Sequence, residues 1–436
     1  MIEREDAESR LATPWGEASR LRARRLYPGG RIPAEEVARN QRERLFGAIV
    51  AVVSEKGYEA STVADVLALS GVSRSAFYRL FASKSECMVA AVTEFLGPAI
   101  DAFDPLDGNG NRRKPEEIFE SFFELLCTQT AAARVFFVEV HAAGEEGEAV
   151  GDRGTGAWAA ALENLLVEQR GQSAADPAVI APLAGGLRKL VHTRLVRGEG
   201  EELPTLAPEL WRWFVGVTPP PGRLESPRRQ RASAGPAFQG YTPAERIAGA
   251  VAGVVAEHGY AGTTTDAIAA RAAISLSTFY AHFSDKEDAV LGALEMSGAQ
   301  ITALAVPAAR RAGGWQEGVR ALYEAICAYF AAEPAMAWLA LVGVYGAGPR
   351  ACGRRDRVID SLAQMLAPGF TENPQAPEVG PEAIAATVYA LMREQLRRGG
   401  PASIGSVVPL ATYITLVGFV GPDRALEVAN GRAGRR

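Results

Sequence analysis

The stretch GVSRSAFYRLFASK, residues 71–84, returns 202 positions later as AISLSTFYAHFSDK, residues 273–286, with both serines, the Phe-Tyr pair, the second phenylalanine and the lysine in register. The likeness extends without a gap over residues 43–91 and 245–293, where 18 of 49 positions are identical. This length of self-similarity predicts an internal duplication of a domain-sized unit. The chain has 436 residues, whereas single hydrophobic cores stop growing at about 250–300 residues, so several domains are expected.

Apolar side chains repeat with helical spacing in both copies. They follow the i, i+4, i+7, i+8 pattern of one helix face at Leu45, Ile49, Val52 and Val53 and at Ile247, Val251, Val254 and Val255. Thr62 with Asp65, and Ser83 with Glu86, have the spacing of capping boxes, which start helices. No strand-like alternation stands out, and the sequence therefore predicts an all-α fold.

Each copy contains two short predicted helices separated by a turn. In the first copy one helix runs from Thr62 to about Ser70, Gly71 lies in the turn, and the second helix begins at Ser73. This is the helix-turn-helix layout, in which the second helix enters the major groove of DNA with its N-terminal residues against base edges. Ala273 replaces the turn glycine in the second copy, so that turn is expected either to cost conformational energy or to differ slightly in geometry.

These residues resemble the DNA-binding domain of TetR-family transcriptional repressors. The resemblance covers about 50 residues in each half and is carried by GYEASTVADVLALSGVSRSAFYRLFASK (57–84) and GYAGTTTDAIAARAAISLSTFYAHFSDK (259–286). It implies two TetR-like units, each with a helix-turn-helix domain followed by a helical effector and dimerisation domain. It also implies that DNA is contacted by Thr62, Ser73, Arg74, Ser75, Tyr78, Lys84, Thr264, Ser275, Ser277, Thr278, Tyr280, His282 and Lys286.

Two of these residues leave a plainer interpretation open. Tyr78 and Lys84 are placed to meet a phosphate, but a tyrosine here also suits packing and a lysine here also suits a solvated surface. The first copy has Leu80 where the second has His282. Leu80 stands where the family often has histidine or an aromatic residue, so the first copy is expected to lack one polar contact.

The duplication and the composition of the intervening segments predict six regions. The stretch VTPPPGRLESPRRQRASAGPAFQG, residues 217–240, is rich in Pro, Gly and Ser and reads as a linker. The regions are an Arg-rich extension (1–38), a first helix-turn-helix domain (39–96), a first helical domain (97–217), the linker (218–240), a second helix-turn-helix domain (241–297) and a second helical domain (298–436).

Charge separates the two DNA-binding units. Residues 39–94 hold seven basic and six acidic groups, net +1, whereas residues 241–296 hold three basic and seven acidic groups, net −4. Because non-specific DNA affinity is mostly phosphate neutralisation, the first unit is predicted to bind DNA more strongly. Each copy also follows an arginine-rich segment, with Arg20, Arg22, Arg24, Arg25 and Arg31 before the first and Arg223, Arg228, Arg229 and Arg231 before the second. The second unit is expected to use Arg228, Arg229 and Arg231 as an arm.

The helical domains offer aromatic clusters that suit either a core or an effector pocket. Aromatic residues at helical spacing are more often core, and the resemblance raises the pocket interpretation for Phe119, Phe122, Phe123, Phe136, Phe137, Trp158, Tyr323, Tyr329, Phe330, Trp338 and Tyr345. The last two helices of each half present apolar faces for helix packing. In the family such helices form a four-helix dimer interface, so the halves are expected either to pair within one chain as a pseudo-dimer or to serve a homodimer.

Composition and motifs limit the other function classes. The chain is 48% hydrophobic with no long apolar run, and its charged start lacks an export signal, so a cytoplasmic protein that does not span the membrane is expected. The four histidines and four cysteines show no metal-ligand spacing, and no nucleotide-binding or nucleophile motif is found. We therefore expect a non-enzymatic, ligand-responsive DNA-binding regulator with no cofactor and an unidentified small-molecule effector. The alternative is a ligand-binding or scaffold protein whose acidic second helix-turn-helix has lost DNA binding.

Overall fold

The computed structural model describes residues 11–26, 32–172, 175–225 and 242–432. These residues are almost entirely helical, which confirms the all-α prediction. In the first half the helices are α1 (Ala34–Lys56), α2 (Val63–Ser70), α3 (Arg74–Leu80), α4 (Lys84–Asp101), α5 (Pro115–Thr128), α6 (Thr130–Phe137), α7 (Glu145–Arg170), α8 (Pro177–Arg197) and α9 (Leu203–Gly216).

The second half repeats this order and adds short helices. Its helices are α10 (Pro243–His258), α11 (Thr265–Arg271), α12 (Leu276–His282), α13 (Lys286–Arg311), α14 (Trp315–Ala332), α15 (Pro334–Trp338), α16 (Pro349–Ala363), α17 (Gly369–Glu372), α18 (Gly380–Gly399), α19 (Val408–Val420) and α20 (Pro422–Ala429). A π-helical turn, Leu339–Gly343, follows α15, and 3-10 turns lie at Glu139–Ala143, Gly200–Glu202, Gln364–Leu366 and Pro401–Val407.

The chain divides into two compact units whose boundaries do not coincide with the sequence repeat. The first unit comprises Met1–Ala161 with Arg194–Ala207, and the second comprises Leu162–Thr193 with Pro208–Arg436. The division runs through α7, α8 and α9. Parts of three helices from the first half of the sequence are therefore packed in the same unit as the second half.

In the first unit the DNA-binding helices pack on the C-terminal part of α1. Phe77 is fully buried and Phe81 is 4% exposed, so the two phenylalanines form the inner face of α3 as their spacing predicts. Arg44 is also buried, and its guanidinium donates to the carbonyl oxygen of Ser70 at the end of α2 over 3.0 Å. This bond fixes α2 against α1 and satisfies a helix-terminal carbonyl that would otherwise lack a partner.

An N-terminal segment covers the first DNA-binding domain, and the sequence analysis had predicted neither helix nor strand for it. Its strands β1 (Ala12–Thr13) and β2 (Gly16–Glu17) form an antiparallel hairpin, followed by 3-10 turns at Ala18–Arg20 and Arg22–Arg24. We call residues 11–26 the N-terminal cap. Since α1 begins at Ala34, it starts five residues before the domain boundary that the sequence suggested.

The second unit contains a close helix crossing between α8 and α18. A Cβ added at Gly186 would lie 2.0 Å from the hydroxyl oxygen of Thr387 and 2.7 Å from its Cα, so the backbones meet at this point. Counting from LVRG (195–198) and LRRG (396–399), Thr387 occupies the position in α18 that Gly186 occupies in α8. Equivalent positions facing each other are the signature of a two-fold arrangement.

Other contacts in this unit join the end of the first half to the last helices. The Tyr413 hydroxyl donates to the carbonyl oxygens of Thr218 and Pro219 over 3.0 and 3.1 Å, and a Glu209 carboxylate oxygen accepts from the Val379 backbone nitrogen over 3.2 Å. The apolar faces of the last helices of both halves are buried here, through Leu187, Leu190, Val191, Trp211, Phe214, Ile384, Val388, Met392, Tyr413 and Leu416.

Among the described residues, two helical segments have the length and apolar composition of a membrane span, which the sequence analysis did not predict. These are Lys286–Arg311 and Pro401–Val420, and the bent pair Trp315–Ala332 with Pro334–Gly343 meets the same test together. Their most apolar windows are 50% and 67% buried inside the protein for the two single segments. Much of this apolar surface is therefore used in helix packing.

Candidate nucleic-acid interface

The first helix-turn-helix is fixed by caps at both of its helices. The Thr62 hydroxyl accepts from the Asp65 backbone nitrogen, while an Asp65 carboxylate oxygen accepts from the Thr62 backbone nitrogen over 2.9 Å, completing the predicted capping box. These bonds and the nearby Lys56 ammonium lower the pKa of Asp65 to about 2, led by the bond to Lys56. Ser73 caps α3 by accepting from the Ala76 backbone nitrogen. The N-terminus of the second helix is thus set rigidly, as base contacts require.

The predicted recognition residues on the two helices of the first copy are exposed. Ser73, Arg74 and Ser75 are exposed at the start of α3, and Thr62 is exposed at the start of α2. Tyr78 is 48% exposed, unusual for an aromatic side chain, and the Arg74 guanidinium lies 5.8 Å from its ring centre. About half of the Tyr78 side chain is therefore exposed rather than packed against the domain.

The second copy builds the same surface with different chemistry. Thr264, Ser275, Ser277, Tyr280 and His282 are exposed and Thr278 is half-buried. The Ser275 hydroxyl lies 2.7 Å from that of Ser277 and 2.9 Å from that of Thr278. Leu276 is 40% exposed where the first copy has Arg74, so this copy offers hydroxyls and an apolar side chain in place of a guanidinium.

Both predicted lysines bind the preceding loop. The Lys84 ammonium donates to the carbonyl oxygens of Tyr58 and Ser61 over 2.5 and 2.8 Å, and Lys286 donates to those of Tyr260 and Thr263 over 3.1 and 3.2 Å. Burial lowers the pKa of Lys84. Each lysine therefore fixes the loop to the helix that follows. Because an ammonium has three donors, one donor is left over, and its contact with a DNA phosphate stays a prediction.

Both turns hold one residue in the left-handed conformation, although that residue differs. Gly71 has φ +63°, and Ala273 has φ +52°, the one non-glycine residue with positive φ among those described. The left-handed conformation costs an L-residue about 1–2 kcal/mol relative to the right-handed one. The second copy therefore bears this cost at Ala273, and its turn also differs slightly: the Ala273 backbone nitrogen donates to the carbonyl oxygen of Ala270, whereas that of Gly71 donates to the carbonyl oxygen of Leu67.

The aromatic residues predicted for a pocket are mostly buried against one another. In the first unit the Phe122 ring centre lies 4.9 Å from that of Trp158, and Phe119 lies 4.9 Å from Phe123. In the second unit the Tyr323 hydroxyl lies 2.8 Å from that of Thr415, and the Tyr329 hydroxyl donates to that of Ser297 over 2.9 Å. Phe136, Phe137, Phe330 and Tyr345 are also buried, and Trp338 is half-buried. A pocket among them remains a prediction.

A buried charge cluster in the second unit was missed in the sequence. The Asp356 carboxylate accepts from the Lys189 ammonium over 2.9 Å and from the Arg355 guanidinium over 2.7 Å, and the Thr193 hydroxyl donates to it over 3.2 Å. Although burial acts to raise the pKa of Asp356, the Arg355 and Lys189 cations hold it well below its usual value. Lys189 and Asp356 lie 167 residues apart in the sequence. The one sequence signal for this pair was the presence of opposite charges within apolar helices.

A second missed residue, Glu139, links the first DNA-binding domain to its helical domain. Its carboxylate is 6% exposed, accepts from the Tyr58 backbone nitrogen over 2.9 Å, and lies 3.7 Å from the Arg134 guanidinium. Burial raises the pKa of Glu139 against the lowering effects of Tyr58 and Arg134. Both backbone groups of Tyr58 are thus bonded: its N–H donates to Glu139, and its carbonyl oxygen accepts from Lys84. In the second copy a Cβ added at Gly346 of the helical domain would lie 3.6 Å from the Cβ of Tyr260.

Some predicted residues lie outside the described part of the chain. These are Arg31 and the arginines of the proposed second arm, Arg228, Arg229 and Arg231. Within the described ranges no group of three or more His, Cys, Asp or Glu side chains is arranged to hold a metal ion.

Comparison with known protein families accounts for both copies. The model of the bacterial regulatory proteins of the tetR family matches residues 45–91 and again residues 249–291. The chain thus carries two segments that match the N-terminal DNA-binding domain of this family. No curated protein matches the chain.

Solved structures give weaker similarities. The transcriptional regulator FadR from Bacillus subtilis, solved in complex with stearoyl-CoA, is 18% identical, with a TM-score of 0.35 over 39% of this chain and 96% of its own. The fatty acid degradation regulator FadR from Bacillus halodurans is 17% identical, with a TM-score of 0.35 over 39% and 97%. A TetR family transcription regulator from Marinobacter aquaeolei is 20% identical, with a TM-score of 0.32 over 40% and 95%.

Proposed function

We propose that this chain is a cytoplasmic, ligand-responsive transcriptional repressor that binds operator DNA as a single-chain pseudo-dimer. The observation that carries the proposal is the duplicated, exposed recognition surface on capped helices, α3 and α12. Hydroxyl and guanidinium donors at a helix N-terminus match the hydrogen-bonding edges of bases in the major groove. Because the two surfaces differ, the operator has two unlike half-sites.

Selection of duplexes from a random-sequence library by the full chain tests DNA binding. The expected result is an enriched site with two different halves, centred about 34–36 Å apart, one turn of DNA. Arg74→Leu should relax selection in one half only, and Ser277→Ala in the other only. If the library is not enriched at all, DNA binding is refuted and the scaffold alternative is favoured.

The α8–α18 crossing supports pairing within one chain. The position in α18 that corresponds to Lys189 is Ala390, so the buried Lys189–Asp356 pair has no mirrored counterpart at that position. If α18 paired with a second copy of itself, Asp356 would face alanine and lose one of its cations. An unpaired buried charge is costly, so the pairing of the two halves is favoured over self-pairing of the second half.

Molar mass in solution decides between the pseudo-dimer and a homodimer. Light scattering should give the mass of one chain, 46.3 kDa, for the free protein, and the mass of one chain plus one duplex for the complex. A mass of twice that value would instead support a homodimer with four DNA-binding domains.

Ligand response is proposed from the aromatic cluster of the first unit. The indole nitrogen of Trp158 is buried among phenylalanines and has no hydrogen-bond partner among the described residues. A buried unpaired donor costs about 1–3 kcal/mol, and an aromatic or acyl effector with a polar acceptor would satisfy it. Release of DNA by members of an aromatic and acyl compound library, weakened by Trp158→Phe, is expected. If release is identical for Trp158→Phe, this pocket is not the effector site.

The scaffold alternative has one observation in its favour, which is the charge of the second copy. Its net charge of −4 disfavours phosphate binding. A footprint that covers one half-site, unchanged by Ser277→Ala, would support a second unit that has lost DNA binding.

A further inference from the structure

The N-terminal cap is docked on the first copy by contacts that have no counterpart among the described residues around the second copy. Leu21 is fully buried, and its Cδ atoms lie 2.8 and 3.0 Å from where a Cβ on Gly47 would be. At the corresponding Gly249 nothing lies within 4 Å. The Trp15 ring centre lies 5.2 Å from that of Phe46, whose counterpart is Ala248. Gly47 and Phe46 thus form the surface on which the cap packs, and the second copy keeps the glycine but has alanine in place of the phenylalanine.

Polar contacts fix the end of the cap beside α1. The Asn40 amide donates to the carbonyl oxygen of Arg24 over 3.0 Å, and the Arg24 guanidinium lies 3.5 Å from the Glu43 carboxylate. Burial lowers the pKa of the Arg44 guanidinium, and the nearby Arg25 and Arg24 cations lower it further.

Arg22 lies directly on the turn of the first helix-turn-helix. Its Cγ is 2.7 Å, and its Cδ 3.5 Å, from the position of a Cβ on Gly71. Gly71 is two residues before Ser73, which is the N-cap residue of the recognition helix α3. The turn has room for Arg22 because Gly71 has no side chain, whereas Ala273 fills the same space with its methyl group. Arg22 is exposed and has no acidic partner among the described residues.

We propose that the N-terminal cap is a second DNA-contacting element of the first copy, in which Arg22 binds a backbone phosphate next to the groove that α3 enters. The proposal rests on the proposed DNA-binding function. Most protein–DNA hydrogen bonds go to phosphate and sugar and set the register of the recognition element. A guanidinium is suited to this contact because its fork of donors matches phosphate oxygens. The cap thus supplies positioning charge to one half-site only.

The test measures binding of the full chain to a random-sequence 30-base-pair duplex across a salt series. Arg22→Gln should reduce the slope of log affinity against log salt by about one, and weaken binding several-fold at about 0.1 M salt. Lys114→Gln, which removes one exposed charge at the start of α5 far along the chain from the cap, is the matched control and should leave the slope unchanged. Melting temperatures of both variants should equal that of the wild type, because both side chains are exposed.

A second variant tests the route through the turn. Gly71→Ala should push Arg22 aside and reproduce the loss of slope, while Gly71→Ala combined with Arg22→Gln should lose no more than either alone. If Arg22→Gln keeps the full slope while Arg74→Leu lowers it, the cap proposal is overturned and DNA binding by α3 stands. If the wild type itself does not bind the duplex, the failure lies with the proposed function.

Discussion

The two copies share a scaffold and differ in what surrounds it. Both have the same buried phenylalanine, the same capped recognition helix, a left-handed residue in the turn and the same lysine bound to the preceding loop. In the described residues, the first copy is covered by the N-terminal cap, is linked to Glu139 and has two exposed arginines on α3, where the second copy has Leu276 and Ala281. The duplicated residues therefore maintain the fold, while the residues that diverged decide charge, coupling and pairing.

The pairing of the halves gives the largest expected effect. Asp356→Ala would leave Lys189 and Arg355 buried without their carboxylate, and removing one partner of a buried ion pair costs about 3–5 kcal/mol. We expect a loss of this size in the free energy of unfolding, measured by urea denaturation. Thr155→Ala in the first half, which leaves the charge cluster intact, is the control and should cost much less.

Acid should weaken the same cluster. Because the folded state holds the pKa of Asp356 below its ordinary value, the pair contributes stability above the unfolded pKa of about 3.9 and loses it as the pH falls through the folded value. The stability difference between wild type and Asp356→Ala should therefore shrink below about pH 4. A difference that is independent of pH down to 2 would contradict a charged pair.

The link between helical and DNA-binding domains gives the next effect. Glu139→Ala would remove the acceptor of the buried Tyr58 N–H and the partner of Arg134, so we expect a loss of about 1–3 kcal/mol. Glu139→Gln keeps an acceptor and should retain most of the stability. Since burial raises the pKa of Glu139, its ionisation opposes folding, and stability falls as the pH rises from the unfolded pKa through the folded one. Glu139→Gln should abolish that part of the pH dependence in a series of urea titrations.

Exchange of surface charge tests whether the copies differ in DNA affinity as predicted. Arg74 and Arg79 correspond to Leu276 and Ala281. The full chain with Arg74→Leu and Arg79→Ala should lose about two from its salt slope, and the chain with Leu276→Arg and Ala281→Arg should gain about as much. Both slopes are read by fluorescence anisotropy on a random-sequence duplex. Equal and unchanged slopes would remove charge as the basis of the difference between the copies.

The turns give the smallest effect. Ala273→Gly should stabilise the second unit by up to about 1 kcal/mol, because glycine adopts the left-handed conformation without steric cost. Gly71→Ala should destabilise the first unit by at least as much, since it adds the steric cost and displaces Arg22. Thermal unfolding followed by circular dichroism measures both. A destabilising Ala273→Gly would mean that the methyl group packs usefully.

The sequence predicted those features that depend on short-range pattern. Helix spacing, capping residues and the repeated turn are local, and for this reason the helices, the capping box at Thr62 and the exposed surface of α3 were found. Glu139 and the Lys189–Asp356 pair were missed because each depends on partners dozens to more than a hundred residues away. The N-terminal cap was missed because its strands have two residues each, too short for any alternation to register.

The crossing at Gly186 and Thr387 has a consequence for how this protein could have arisen. In a symmetric homodimer a residue on the two-fold axis faces itself, so a change there enters both sides at once, and threonine would have to meet threonine where the backbones now touch. In a fused chain the two facing positions are encoded by separate codons. The residue at this position can then become smaller in one copy and larger in the other. A duplicated gene can reach such a pair by single substitutions, whereas a homodimer encoded by one gene cannot.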